Sequence, residues 1–367
     1  MSMCLSPILF LNPRKIAYKV LKTMLRSWFD ENPLKYTGDF ASFMREFITD
    51  RGFLSQRGRE AVSRAGLSDH IQELPCRTCL ECRMQNARQW TARCQLEARA
   101  HKSNYFVTLT YDDDHVPKTP DGLLTLCYRD FQLFMKSLRK QIDYSVRYRV
   151  CSEYGERTRR PHYHAIIFGL ELSDLRWLYS VKHGRKIYRS NGGGVPHYTS
   201  PWLAGIWARG NVDIAAVEFG SISYVNNYML KYELGGKQDD WKMLEEFRSS
   251  FPQQNACYRS AVKLGIIAPP KHNQSTRPAI GRCAFEECEQ QLLETDQLPT
   301  GLKLRVKYLH YFDRLLFEKH PEIKIERQRM RANLARAVDY DIGDKEEERK
   351  KRGERLAALV KRRYRPL

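Results

Sequence analysis

His162-Tyr163-His164 sets two imidazoles two residues apart. On a strand such residues share a face, so both rings can reach one ion while Tyr163 points the other way. The preceding segment, Arg147-Tyr-Arg-Val-Cys-Ser-Glu153, reads as the other arm of a hairpin. If Glu153 lies opposite His162, its carboxylate joins the imidazoles, because opposed residues of an antiparallel pair point the same way. Two nitrogens and one carboxylate leave positions open for water and a phosphate oxygen. That donor set suits Mg2+ or Mn2+ better than a closed zinc site. Glu156 competes with Glu153, but it falls in the turn, where its direction is undetermined. A lone His-x-His is more often structural or on the surface, so the motif needs support from elsewhere in the chain.

Support comes from Tyr224-Val-Asn-Asn-Tyr228-Met-Leu-Lys231. On a helix, tyrosines four apart stack on one face and Lys231 joins them. A tyrosine hydroxyl can attack a phosphodiester and hold the 5′ end covalently. With an ordinary pKa of about 10 it needs help at neutral pH; a lysine favours the phenolate, and a metal polarises the phosphate. Two tyrosines permit two successive transfers. Tyr228 is preferred for the first cut because Lys231 follows it by one turn. By itself such a helix is usually a packing stripe, and its weight comes from occurring with the histidines in one basic chain.

A third group is Cys76-x-x-Cys79-x-x-Cys82, three thiolates on a tight loop. Tetrahedral zinc takes four ligands, and Cys94 is the nearest further cysteine. The expectation is a structural Zn2+ in a reducing compartment, with reduced unliganded cysteines as the alternative. Cys127, Cys151 and Cys257 are most economically core residues.

The elements that would position these groups are legible in part. A short strand is expected within 6–12 and mainly helix over 13–70. Gln85 to Lys102 reads as a basic helix with Trp90, Cys94 and Ala98 at spacing four. Tyr105–Tyr111 is rich in β-branched and aromatic residues and reads as a strand. Leu126–Gln141 is an amphipathic helix, and Arg147–Tyr154 and His162–Leu170 are strands. A polar loop to about Tyr198 follows, then a strand over Val212–Phe219 and a helix over Ser221–Tyr232. Trp202 and Trp207 read as core residues. The fold class is therefore α+β, a central antiparallel sheet flanked by helices, with helical N-terminal and C-terminal extensions. The domain reading is 1–75 N-terminal strand and helices, 76–103 cysteine loop and basic helix, 104–235 catalytic core, 236–300 irregular extension, and 301–367 basic helical region.

Of the 367 residues 42% are hydrophobic, enough for a packed core. Lys plus Arg is 62 against 43 acidic residues, a formal charge of +19, which points to a polyanionic partner. Thr108 and Thr110 of the first strand, and Arg159 and Arg160 beside the histidines, are candidate DNA contacts. Asp112-Asp113-Asp114-His115 reads as a solvated loop. No run is apolar enough to span a membrane, and the start lacks the charged segment of a secretory signal.

Thr108-Leu-Thr-Tyr-Asp112, Arg160-Pro-His-Tyr-His-Ala-Ile-Ile-Phe-Gly169 and the Tyr224–Lys231 segment resemble the three motifs of HUH rolling-circle endonucleases. More narrowly, the chain resembles the replication initiators of small single-stranded-DNA phages, the gokushovirus branch of the microviruses. Met3-Cys-Leu-Ser-Pro-Ile-Leu, Leu74-Pro-Cys-Arg-Thr-Cys-Leu-Glu-Cys82, Ser152-Glu-Tyr-Gly-Glu156 and Arg277-Pro-Ala-Ile-Gly281 carry that narrower likeness, which covers roughly residues 1 to 285. The resemblance implies metal-dependent nicking of single-stranded DNA at an origin, a 5′-phosphotyrosine intermediate and rejoining of the displaced circle. It also implies a host helicase and polymerase as partners, and the cytoplasm of a bacterial host as location. Asn226 and Asn227 depart from the Ala and Arg that the family usually carries between its tyrosines. The rival readings are a plasmid or transposon enzyme of the same chemistry, a non-catalytic zinc-stabilised DNA-binding or packaging protein, and a capsid-associated structural protein.

Overall fold

The computed structural model describes residues 8–11, 23, 26, 30, 53–54, 71–77, 79–155, 158–189, 193–227, 265–298, 308–336, 347–355 and 358. The chain divides into two units, residues 1–83 with 340–367, and residues 84–339.

In the first unit, β1 (Ile8–Leu11) is the middle strand of a three-stranded antiparallel sheet between β2 (Phe53–Leu54) and β3 (Ile71–Leu74). Ile8 pairs with Leu74 and Leu9 with Leu54. The early strand is where the sequence puts it. The two partners, however, lie in or beside the span expected to be helical. Two to four residues are too few for a period-two pattern to register.

The larger unit is built on β-rich stretches whose alternate residues are apolar. After α1 (Leu80–Arg99) come β4 (Asn104–Tyr111), α2 (Tyr128–Lys140) and the hairpin β5 (Arg147–Tyr154) and β6 (Pro161–Phe168). Then follow β7 (Arg176–Lys182), β8 (Arg185–Ile187), β9 (Val195–Thr199), α3 (Pro201–Trp207), β10 (Gly210–Ala216) and α4 (Phe219–Asn227). Further on lie β11 (His272–Gln274), α5 (Arg282–Thr295), α6 (His310–Lys319) and α7 (Pro321–Arg336). The strands form one open antiparallel sheet in the order β11-β5-β6-β4-β10-β9-β7-β8. The fold is α+β, an antiparallel sheet with helices packed on it.

One face of the sheet carries the main core. Val107, Leu109, Tyr111, Tyr163, Ala165, Ile167, Val212 and Ile214 pack there against α2 and α3. Phe131, Phe134, Met135 and Leu138 of α2 recur at three- and four-residue spacing, which makes a single apolar stripe. Asp130 in its first turn and Arg139 and Lys140 in its last complement the helix dipole. Trp207 closes α3 onto the sheet, with its indole N–H donating to the Thr110 carbonyl at 3.2 Å. Gly210 opens β10 at φ 136°, and a Cβ there would lie 2.4 Å from backbone atoms of Thr110 and Asp112.

The opposite face is covered over β5 and β6 by α1 and α4. Cys94, Cys151, Ile166, Phe168, Ile222 and Val225 meet there, with Trp90, Ala98 and Phe106 around them. The spacing-four stripe of α1 is thus a packing stripe. Its Ala92 and Leu96 join a third cluster with Phe285 of α5 and Phe312 of α6.

Two regions differ from the expectation. The polar loop expected up to Tyr198 is three strands, β7, β8 and β9. They show no long apolar run because they lie at the sheet's outer edge, where water meets part of their surface. The irregular extension holds β11 and α5, and the helical C-terminal reading holds for α6, α7 and residues 347–355.

Candidate active site

Glu153 pairs with His162, and Cys151 with His164, in the β5–β6 register. The carboxylate and both imidazoles therefore share a face, as the hairpin reading requires. Glu153 Oε1 meets His162 Nε2 in a short contact and His164 Nε2 at 3.1 Å. One ligand atom from each residue lies within 4.8 Å of the others. Tyr163 points the other way into the core, where its hydroxyl donates to the Cys127 carbonyl at 2.6 Å.

The far side of each ring fixes which nitrogen is available. His162 Nδ1 lies 3.1 Å from the Arg160 carbonyl, so Nδ1 carries the proton and Nε2 keeps its lone pair. His164 Nδ1 lies 2.9 Å from Thr108 Oγ1, which accepts in the same way. Thr108 stands opposite His164 across β4 and β6, and Thr110 opposite His162. Thr108, expected to touch DNA, thus holds a histidine, an arrangement typical of metal-ligating imidazoles. Glu153 is 4% exposed, and its Oε2 has no hydrogen-bond partner among the described residues. Burial pushes this carboxyl up, but His164 and His162 together bring it below the usual glutamate value. A buried carboxylate with an unused oxygen, beside two lone pairs aimed at it, fits a divalent cation.

Tyr224 stands over this cluster. Its ring meets His164 edge to face at 5.2 Å and Phe106 at 6.3 Å, and it is 41% exposed. Ile222, Val225 and Asn226 of α4 turn inward and fix the helix on the sheet. Asn226 accepts from Arg149 Nε at 3.1 Å, while its amide donates to the Ile222 carbonyl at 2.9 Å. Arg149 also bonds Gln274, reaches His272 Nδ1 at 3.2 Å, and stacks on Trp90 at 4.0 Å. With Nδ1 accepting, His272 donates Nε2–H to the Val225 carbonyl at 2.7 Å. Burial first, and then the Arg149 charge, pull its pKa down to about 3. Asn226, a departure that removed charge from the helix, is therefore a buried clamp. Arg149 and His272 went unnoticed in the sequence, though Arg149 shares the face of Glu153 by the strand period.

Tyr228, Lys231 and Glu156 lie outside the described residues. Arg160 donates to the Tyr111 carbonyl at 2.9 Å and pairs with Asp113, so it braces the turn beside His162. Arg159, in the same turn, has a left-handed φ of 56°. Asp112 caps His115 through its backbone N–H at 2.9 Å and its ring at 2.7 Å, as a solvated loop would.

The cysteine loop comes together in part. Cys76 and Cys82 sulfurs are 4.0 Å apart, and the Cys79 N–H points at the Cys76 sulfur at 3.2 Å. Two ligands of a tetrahedral zinc with Zn–S of about 2.3 Å are about 3.8 Å apart, so three thiolates here suit one ion. Cys82 sits in the first turn of α1, where the helix dipole favours the thiolate. Cys94 is not with them. It is fully buried against Cys151 and Ile166, takes a hydrogen bond from Asn226, and burial raises its pKa to about 11. Twelve residues of one helix separate it from Cys82, about 18 Å at the α-helical rise.

A family model for replication-associated proteins of the ORF2 type matches residues 104–233. That span opens on β4 and takes in Glu153, both histidines and Tyr224. The chain is 28% identical over 258 residues to replication-associated protein VP4 of Bdellovibrio phage phiMH2K, covering 68% of this chain and 69% of that one. It is 30% identical over 250 residues to replication-associated protein ORF2 of Spiroplasma virus 4, covering 66% and 67%. A shorter match, 33% over 162 residues, links it to replication-associated protein ORF4 of Chlamydia phage 1, covering 43% and 38%. No solved structure matches.

Proposed function

The chain belongs to the microvirus-type replication initiation proteins, and we propose that it is a metal-dependent, site-specific single-strand DNA endonuclease and strand transferase that starts rolling-circle replication. The observation that carries this is Tyr224, half-exposed and set edge-on to His164 of a buried Glu-His-His cluster.

Glu153, His162 and His164 would hold Mg2+ or Mn2+, which when bound supplies Lewis-acid polarisation of the scissile phosphate. The residues do the rest. Thr108 and the Arg160 carbonyl keep both Nε2 lone pairs turned inward. The Arg149 clamp fixes the helix so that Tyr224 faces the same point. Attack by a tyrosine oxygen forms a Tyr–O–P bond and breaks the P–O3′ bond. The phenol proton passes to the departing 3′ oxygen, leaving a free 3′ hydroxyl and a 5′-phosphotyrosine. One phosphodiester replaces another, so no nucleotide cofactor is consumed. Reversal by a 3′ hydroxyl rejoins a strand. Tyr228 serves as the second nucleophile and Lys231 as the charge that favours its phenolate.

The substrate is single-stranded DNA at an origin, and the setting is the cytoplasm of a bacterial host. A host helicase and polymerase act with it. No helix among the described residues is long and apolar enough to cross a membrane. Cys76, Cys79 and Cys82 hold a structural Zn2+, with a fourth ligand other than Cys94.

The test is a labelled single strand carrying a candidate origin, incubated with Mg2+, Mn2+ or EDTA and run on a denaturing protein gel. A metal-dependent, protein-sized labelled band that disappears in the Tyr224→Phe/Tyr228→Phe double variant is expected. DNA binding without such a band under any metal would replace this reading with a non-catalytic DNA-binding protein.

A further inference from the structure

The outer half of the sheet is basic, aromatic and on the same side as the cluster. Between Asp174 and Asp213 the chain has no acidic residue, while Arg176, Lys182, Arg185, Lys186, Arg189 and Arg209 fall within that stretch. Folded, most of them gather on the β7–β8 hairpin at the end of the sheet.

The strand register says which side of the sheet each presents. His164 pairs with Thr108, and Thr108 with Asp213. Ala215, two residues on from Asp213, pairs with His197, and His197 with Tyr179. Val181, two residues on again, pairs with Lys186. Paired residues point the same way, so this line runs from the Glu-His-His cluster to the hairpin on one face. Side-chain contacts agree with it. Tyr179 stacks on His197 at 4.9 Å, Lys186 Nζ sits 4.0 Å over the Tyr179 ring, and Tyr188 lies 5.8 Å from it. Asp213, the one acid on the line, is held by His197 Nδ1 at 2.5 Å and by the Tyr179 hydroxyl.

We propose that the single strand flanking the cut is laid along this line, with Tyr188 stacking a base and Lys186 holding a phosphate. The identity of that strand rests on the nuclease reading. Lysines on an edge strand can also serve merely to block edge-to-edge pairing. That role does not call for a tyrosine 69% exposed, next to a second ring and a cation. An exposed aromatic with neighbouring positive charge is the usual platform for unpaired bases. From β6 to β8 are five strand spacings, about 24 Å at about 4.8 Å each. That length accommodates about seven nucleotides at a stacked rise of about 3.4 Å. Lys182 and Arg185 pair with each other on the opposite face and serve as an internal control.

The experiment is fluorescence anisotropy of fluorescein-labelled (dT)20 with the full chain in EDTA at a fixed salt concentration. Tyr188→Ala is expected to weaken binding about tenfold, Tyr188→Phe less than twofold, and Lys186→Ala about threefold with a salt slope lower by about one. Lys182→Ala stays within twofold. Thermal melts of Tyr188→Ala matching the wild type exclude a folding defect. Tyr188→Ala binding like the wild type overturns the proposal, as does a Lys182→Ala loss equal to that of Lys186→Ala. The covalent-band assay reads the nuclease separately. A chain that forms no band yet needs Tyr188 to bind (dT)20 keeps this track and loses the nuclease reading.

Discussion

Thr108→Val tests whether the hydrogen bond behind His164 governs metal binding. The change is close to isosteric and removes only the hydroxyl that accepts from His164 Nδ1 at 2.9 Å. Without it a neutral imidazole loses its reason to carry the proton on Nδ1, and the Nε2–H form cannot ligate. Removing such a partner typically lowers metal affinity 10–100-fold, about 1.4–2.8 kcal/mol. Fold stability is expected to fall by only about 0.5–1.5 kcal/mol, the worth of one ordinary hydrogen bond. Thr108→Ser keeps the hydroxyl and is expected to recover most of the affinity. The assay is Mn2+ titration followed by the electron paramagnetic resonance signal of the free ion, with urea unfolding of the same proteins. Mn2+ affinity within twofold of wild type in Thr108→Val, with stability intact, would refute the positioning role of Thr108 and the tautomer argument behind it.

Tyr224→Phe should keep the edge-to-face contacts with His164 and Phe106, changing stability by less than about 0.5 kcal/mol; the covalent band should lose the share formed on Tyr224, read beside Tyr228→Phe. His272 is held neutral with its pKa lowered to about 3. The unfolded chain therefore takes up this proton first as pH falls. Its contribution is complete above about pH 6.5 and declines below, by at most about 1.4 kcal/mol per pH unit. Urea midpoints of wild type and His272→Gln between pH 7 and 4 should show the steeper fall in wild type, and parallel curves would count against the buried neutral state. Elemental analysis should find zinc bound to the chain, lost in Cys79→Ser and kept in Cys94→Ser, which should instead melt earlier; loss of zinc in Cys94→Ser would reinstate Cys94 as a ligand.

The β5–β6 hairpin was legible because alternation, a polar turn and two chemically distinctive side chains all fall within one short stretch. Glu153 opposite His162 follows from the register alone. The strands of the outer sheet were not legible, since edge strands carry Lys and Arg where a central strand carries Val or Ile. The frame of the tyrosine helix was hidden for another reason. Arg149 meets Asn226 77 residues away and Gln274 125 residues away, and no local pattern reports such pairs. Cys94 was misjudged as a ligand because closeness in sequence was taken for closeness in space, which a straight helix contradicts.

The clamp on α4 also sets an order in time. A ribosome releases Tyr224 well before it makes His272, whose ring bonds the Val225 carbonyl, and Gln274, which bonds Arg149. At roughly 5–20 residues per second the interval is a few seconds. The carbonyls of Pro278 and Ile280, taken by Arg147 and Arg93, and the Gly281 N–H, given to Glu97, come later still. Until that segment emerges, the nascent chain can pair β4, β5 and β6 and bring Glu153 beside the histidines, but the tyrosine helix lacks its anchor. Competence to cut is therefore acquired late in synthesis, and a polypeptide stalled or truncated before residue 272 would carry the motifs without the enzyme.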